Sequence, residues 1–322
     1  MNAPPPALER IGCPLCRGER HRVLFERRDH THLVSDVRFP VVRCEGCGMV
    51  FVNPRPTIEG IHMYYPPDFY QVGVSPSELL REKRGTLDAR LRLVGDLPPG
   101  RVLDVGCQKG EFLYVMKQRG WDPVGVEFSS TPPNVFSLPI YCCELKKAPL
   151  EPESFDLVTL WAVLEHVHDP LEVLRHVRRL LKPSGRAFVL VPNFNSIPAR
   201  FMRHDDVPRH LLMFTPRTLQ RAAQASGLTA REFHFGDDIF SGSTRGVLNY
   251  VWKRLHGEPL ESVVGQNREP GRWREFSEFV NGKPSRLMRG VDRLDARVTP
   301  LLDRIVNALG LGFIMTAELV RQ

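Results

Sequence analysis

From residue 100 to 236 the chain alternates short apolar runs with stretches whose apolar positions recur at three- and four-residue steps. Continuous apolar runs of this length fit strands buried on both faces of a sheet. They predict strands at residues 102–105, 123–127, 139–143, 155–161, 186–191 and 229–235. Between them lie helical patterns. One covers roughly residues 110–119. Another follows the Asp169-Pro170 cap and carries Leu171, Leu174, Val177 and Leu181 on one face, ending at Pro183-Ser184-Gly185. A third is capped by Thr215-Pro216, carries Leu219, Ala222, Ala223 and Ala225, and stops at Gly227. Strands alternating with helices give a parallel sheet with right-handed crossovers.

The flanks read differently. Residues 23–25, 41–43 and 49–52 are strand-like, and Asn53-Pro54-Arg55-Pro56 closes that segment. Tyr64, Tyr65, Pro66, Pro67 and Tyr70 form an aromatic, proline-rich connector that packs between modules. Ser75-Pro76-Ser77-Glu78 has the form of a capping box before one helix with Leu79, Leu87, Leu91 and Val94 on its apolar face, ended by Pro98-Pro99-Gly100. Beyond residue 236 the pattern is mainly helical. Val247, Leu248, Val251, Trp252 and Leu255 fall at helical spacing, then Trp273, Phe276 and Val280, then Leu287, Val291, Leu294 and Val298. After Thr299-Pro300 the stripe resumes with Leu301, Leu302, Ile305, Val306 and Leu309, and residues 313–320 read as a last strand returning to the sheet. The expected organisation is a small module at 1–60, a connector and helix at 61–98, an α/β domain at 99–236 completed by 310–322, and a helical cap or insertion at 237–309.

Seven cysteines change the picture of the first module. Cys13-Pro14-Leu15-Cys16 and Cys44-Glu45-Gly46-Cys47 are two short knuckles joined by a strand-rich segment, the spacing of a tetrahedral zinc ribbon. With all four positions thiolate, no coordination site is left open for catalysis, and in so small a module the metal supplies much of the folding energy. Two disulfides or unpaired thiols are the alternative. No apolar segment follows Met1, so a secretory signal is not expected and the cytoplasm is the expected location, which favours zinc.

The 322 residues hold 44 Lys and Arg against 37 Asp and Glu, a net charge of +7. The excess is spread along the chain without a dense basic run, so a solvated surface is expected ahead of a nucleic-acid track. No run of about 18 apolar residues suggests a membrane span. Arginines 286, 289, 293, 297 and 304 flank the last apolar stripe, but Asp292, Asp295 and Asp303 dilute them. A cap over the cleft or a dimer face is therefore expected before peripheral contact with anionic lipid.

Candidate chemistry centres on Asp104-Val105-Gly106-Cys107-Gln108-Lys109-Gly110, a glycine turn between a strand and a helix whose N-terminal N–H groups face a ligand. The next strand ends in Glu127, the place where an acid accepts hydrogen bonds from ribose hydroxyls. Together these indicate a Rossmann-like, doubly wound, mostly parallel α/β domain. The ordered set Val102-Leu103-Asp104-Val105-Gly106-Cys107, Val124-Gly125-Val126-Glu127, Phe155-Asp156-Leu157-Val158, Leu164-Glu165-His166-Val167 and Leu180-Leu181-Lys182-Pro183-Ser184-Gly185 resembles the class I S-adenosylmethionine (SAM)-dependent methyltransferases, especially the ubiquinone-biosynthesis-like branch. The resemblance is close over residues 100–192. The zinc-ribbon arrangement, Pro208-Arg209-His210-Leu211 and Phe214-Thr215-Pro216-Arg217-Thr218-Leu219 also resemble a branch of this family, and beyond about residue 236 the match is loose.

The resemblance implies that Gly106, Cys107 and Gly110 line the methionine part of SAM, with Asp104 and Phe128 also cofactor-binding. It places Glu127 at the ribose, Glu144 and Leu145 beside adenine, and Trp161 to His166, Glu165 among them, near the methyl group. Two departures stand out: Gln108 replaces the middle glycine of the usual run, and Pro132-Pro133 shortens or breaks the helix after Glu127. His166, just past the fourth strand, and His210 are the candidate bases, since a near-neutral imidazole suits proton transfer from a hydroxyl. Arg209 and His210 are candidate substrate contacts, with Asp205 and Asp206 nearby. His168 and His204 read as solvated. The implied activity is methyl transfer to a small-molecule, sugar, glycan or quinone-like acceptor at oxygen. An RNA methyltransferase gripping nucleic acid with its ribbon is the alternative, against which stands the absence of an Asn/Asp-Pro-Pro-aromatic tetrad. A non-catalytic interaction protein rests only on Gln108 and the broken helix. A nicotinamide dehydrogenase does not fit the glycine spacing.

Overall fold

The computed structural model describes residues 7–29, 34–65, 75–128, 134–197, 199, 206–236 and 286–322. Tyr70, Pro132-Pro133, His204, Asp205 and the apolar stripes at 247–280 lie outside the described residues, as does most of the expected cap.

The N-terminal segment forms β1 (Leu8–Glu9), β2 (His21–Arg27), β3 (Phe39–Cys44), β4 (Val50–Val52) and β5 (Arg55–Pro56). Strands β2, β3 and β4 make an antiparallel meander, and β1 pairs with β5. β3 is apolar and covered on both faces. Phe39 and Val41 pack with Tyr64, Val207 and Met213, whereas Val42 and Cys44 join the large core of the main domain. A capping box at Ser75 then opens α1 (Pro76–Glu82), as its sequence predicts. The single expected helix is in fact two. Lys83, at φ −89° and ψ 2°, leaves helical geometry before α2 (Arg84–Val94).

The main domain follows as β6 (Arg101–Val105), α3 (Glu111–Gln118), β7 (Asp122–Glu127), β8 (Ile140–Cys142), β9 (Phe155–Trp161), α4 (Pro170–Leu180), β10 (Leu181–Pro192), β11 (Leu212–Met213), α5 (Pro216–Ala225), β12 (Leu228–Gly236), α6 (Arg286–Ala308) and β13 (Ile314–Arg321). Its seven-stranded sheet runs β12-β13-β10-β9-β6-β7-β8. β13 is antiparallel to both neighbours, and the pairings among β10, β9, β6, β7 and β8 are parallel. The chain builds outward from β6 to β8 and then returns to the other side of β6 with β9. The strand order therefore reverses between β6 and β9, where a doubly wound sheet opens its crevice at the C-terminal strand ends.

Three further elements differ from expectation. β10 begins at Leu181, and Pro183-Ser184-Gly185 forms an irregularity within its pairing to β9 instead of a separate turn. α6 runs through Pro300 as one helix. β11 pairs antiparallel with β4, so the edge strand of the N-terminal sheet comes from beyond residue 210. No helix among the described residues is long and apolar enough to cross a membrane.

Candidate active site

The two knuckles bring Cys13, Cys16, Cys44 and Cys47 together with all sulfur atoms within 4.8 Å of one another. Cys13 and Cys47 sulfurs are 3.4 Å apart and those of Cys16 and Cys44 3.5 Å, with no disulfide. A tetrahedron of sulfurs about 2.3 Å from zinc has edges of roughly 3.8 Å, so the four residues fit one structural ion.

The glycine turn after β6 is pinned to the neighbouring strand by the N–H groups of Gly106 and Cys107, which donate to the Val126 carbonyl at 2.7 and 3.2 Å. Gly106 has φ +72°, and a β-carbon there would lie 2.5 Å from Val163, so a side chain is excluded twice over. Gln108 adopts φ +50°, keeping the left-handed turn its glycine counterpart would make, and its N–H donates to Glu127 Oε2 at 2.7 Å. Cys107 is buried, and Gly110 opens α3 with φ +84°.

Buried acids crowd this crevice. Asp104, Glu111 and Glu127 are each nearly inaccessible. Burial pushes the Asp104 carboxyl up to about 7, against Arg90 and a 2.6 Å hydrogen bond donated by Thr159. Arg90, on α2, is the cation that faces them, and its guanidinium lies 5.2 Å over the Trp161 ring. Three polar atoms have no hydrogen-bond partner among the described residues: Arg90 Nε, Glu111 Oε2 and Trp161 Nε1. Orphaned groups of both signs in one buried pocket suit a zwitterion whose carboxylate meets Arg90 and whose ammonium meets the acids. The methionine end of SAM is such a group, and its net positive charge offsets the excess of acids. The residues present therefore fit SAM. Arg90 and Glu111 were not singled out from sequence. Glu111 stands directly after the last glycine of the turn, a signal that could have found it, whereas Arg90 is marked only by its packing on Trp161.

The remaining expected cofactor residues divide. Leu145 is buried and Trp161 lines the crevice, but Phe128 is 43% exposed. Glu144 is held by Lys147 at 2.6 Å and Lys146 at 3.3 Å, which keep its carboxyl below the usual range.

Past β9, Glu165, His166 and His210 converge, with their ligand-type atoms within 4.8 Å of one another. The His166 and His210 rings meet edge to face at 4.7 Å. Glu165 is 1% exposed, and neither carboxylate oxygen has a hydrogen-bond partner among the described residues. Burial pushes its pKa up to about 8, so it is neutral at pH 7. Burial pulls both histidines down, His210 to about 3 with help from His166. His166 Nδ1 lies 3.0 Å from the Arg209 carbonyl and, more distantly, 3.4 Å from the Tyr65 hydroxyl. A carbonyl can only accept, so Nδ1 carries the proton and Nε2 is a free base.

Arg209 departs from expectation. It is fully buried, with its guanidinium on Asp29 at 2.7 Å, on Asp206 at 2.6 Å and on the Tyr64 carbonyl at 2.6 Å. Its donors are turned inward, so it positions the loop and does not reach a substrate. His168 is also misread by sequence. It is half-buried, and its Nε2 donates to the Pro56 carbonyl at 3.0 Å.

The chain is similar to known methyltransferases. A family profile described as a methyltransferase domain matches residues 79–232. A ubiquinone biosynthesis O-methyltransferase of Pseudomonas entomophila (strain L48) is 33% identical over 194 residues, covering 57% of this chain and 73% of that protein. Its namesake from Aeromonas salmonicida (strain A449) is 32% identical over 159 residues, covering 43% of this chain and 66% of that protein. A SAM-dependent methyltransferase structure from Archaeoglobus fulgidus is 20% identical with a TM-score of 0.44, over 76% of this chain and 98% of that one. A doubly wound sheet with an acid-rich crevice at its strand-order reversal has the form of a nucleotide-cofactor site. The chain belongs to the class I SAM-dependent methyltransferases, and SAM is its cofactor.

Glu127 gives the first test. Titration with SAM, with NADH as control, is expected to show binding of SAM alone. Glu127→Ala is expected to weaken it by about 1.5–3 kcal/mol, the loss of charged hydrogen bonds. Undiminished affinity in the variant would remove Glu127 from the cofactor site.

Proposed function

We propose that the protein methylates a hydroxyl oxygen on a small phenolic or quinol-like acceptor. The observation that carries this reading is His166. Its Nδ1 is committed to a backbone carbonyl, its Nε2 lone pair is free, and it sits beside a neutral carboxyl and an uncharged His210. SAM, when bound, supplies a methyl group on a sulfonium, already a good leaving group. The protein's part is to align the acceptor oxygen, exclude water and receive its proton. His166 takes that proton as the new carbon–oxygen bond forms and the carbon–sulfur bond breaks. His210, edge-on to His166, borders the acceptor. The names of the relatives, O-methyltransferases of ubiquinone biosynthesis, support an aromatic hydroxyl over a sugar or glycan.

A panel of catechols, hydroquinones, sugars and RNA, each incubated with methyl-labelled SAM, is the direct test. A labelled methyl ether on a phenolic compound is expected, and label on RNA alone would move the RNA reading ahead. His166→Gln is expected to lower kcat by about 10²–10⁴-fold with SAM affinity unchanged. The acid limb carries the sign of the shift. A base whose pKa is lowered stays neutral as pH falls, so kcat/KM should hold level through pH 6.5. A break at the ordinary histidine value would show that the base is not the buried His166.

A further inference from the structure

On the outer side of the second zinc knuckle lies a groove of about 410 Å³, lined by Arg22, Arg43, Arg217, Arg221 and the Cys44-Glu45-Gly46-Cys47-Gly48 turn. The volume falls within the roughly 300–1,000 Å³ of small-molecule pockets. Its arginines are arranged in two like-charged pairs. Arg22 and Arg43 are direct cross-strand partners of β2 and β3. Arg217 and Arg221 are one turn apart on α5. Like charges directly opposite in a sheet, or four residues apart on a helix, are destabilising. Among the described residues none of the four forms an ion pair. Arg43 Nε is buried without a hydrogen-bond partner. Arg221 is committed only in part, donating from Nη1 to the Cys47 carbonyl at 2.8 Å. The other charged residue of the lining is Glu45, which is exposed.

Two like-charged pairs around one small concavity favour an anion between them. We infer that this groove binds a diphosphate-bearing small molecule, one phosphoryl group to each arginine pair, using the forked geometry by which guanidinium recognises phosphate oxygens. The site is linked to the catalytic loops through the chain itself. Leu212, whose N–H donates to the Glu165 carbonyl at 3.1 Å, leads through the Thr215 cap into α5. A zinc ion held by four thiolates is net negative, so part of the arginine charge balances the knuckle.

The test is calorimetric titration of the full, zinc-loaded chain with inorganic pyrophosphate, with sulfate at matched ionic strength as control. Pyrophosphate is expected to bind at least tenfold more tightly than sulfate. The Arg22→Gln, Arg217→Gln double variant should weaken it at least tenfold while zinc content and SAM affinity stay unchanged. Arg22→Glu turns the cross-strand repulsion into attraction. It should melt higher than the parent without ligand and lose the pyrophosphate-induced rise in Tm. Equal binding of sulfate and pyrophosphate would overturn the inference, as would variants that shed zinc but still bind pyrophosphate. So would a ten-nucleotide RNA that needs the same arginines and is not displaced by pyrophosphate.

Discussion

Stripping zinc from the full chain should stop methyl transfer while leaving SAM binding largely intact. A tetrathiolate site supplies about 10–16 kcal/mol of apparent binding energy to a module of this kind, more than a small sheet can replace. The consequence reaches the active site because the catalytic loop after β9 is clamped by the ribbon. Arg17 pairs with Asp169 at 3.0 Å, and Arg55 donates to the His168 carbonyl at 2.8 Å. His168 returns a bond to Pro56, and Leu212, paired with Phe51 of the ribbon sheet, donates to the Glu165 carbonyl. Glu165 and His166 sit between these anchors. The cofactor crevice is built mainly from α2, β6, α3 and β7, none of which makes one of these clamping contacts. Chelation followed by zinc analysis, SAM titration and a labelled-methyl assay separates the two. An apo-chain with full kcat would show that the ribbon does not hold the loop.

The second large effect is expected at Arg209. Replacing it with methionine removes the guanidinium that pairs with both Asp29 and Asp206, the former fully buried. Breaking a buried pair in this way costs about 3–5 kcal/mol. The Arg209 carbonyl also fixes the His166 tautomer, so a shifted loop should lower kcat more than it raises KM. Adding Asp29→Asn and Asp206→Asn to Arg209→Met should recover most of the stability, since the desolvated charges are then gone. Denaturant midpoints of the single and triple variants measure this. A single variant within 1 kcal/mol of the parent, roughly the cost of losing a surface pair, would mean that the cluster is not energetically buried.

Much of the sheet was legible because its strands are buried on both faces. Residues 155–161, for instance, are apolar enough to mark β9 at both ends. The caps at Ser75, Asp169 and Thr215 were legible because capping is local chemistry, as were the four cysteines. What escaped depends on partners far away in the chain. β11 is two residues long, and only its pairing with β4 makes it a strand. Arg209 resembles any surface arginine until Asp29 is placed against it, and Arg90 gains meaning only above Trp161. His168 and the Lys83 break were missed for the same reason, since neither burial nor a helix–helix joint is written in a single residue's type. Pro300 is a local signal that misled, because α6 continues through it despite the missing N–H.

The exchange of β11 into the N-terminal sheet has a consequence for synthesis. A nascent chain displays both cysteine knuckles early, and they can capture their ion as soon as Cys47 emerges. The sheet they organise still lacks its edge until Leu212 and Met213 leave the ribosome, after most of the α/β domain has been made. An open strand edge invites pairing with other chains in that interval. Cutting the gene after residue 60 would make the interval permanent, leaving the ribbon without its last strand.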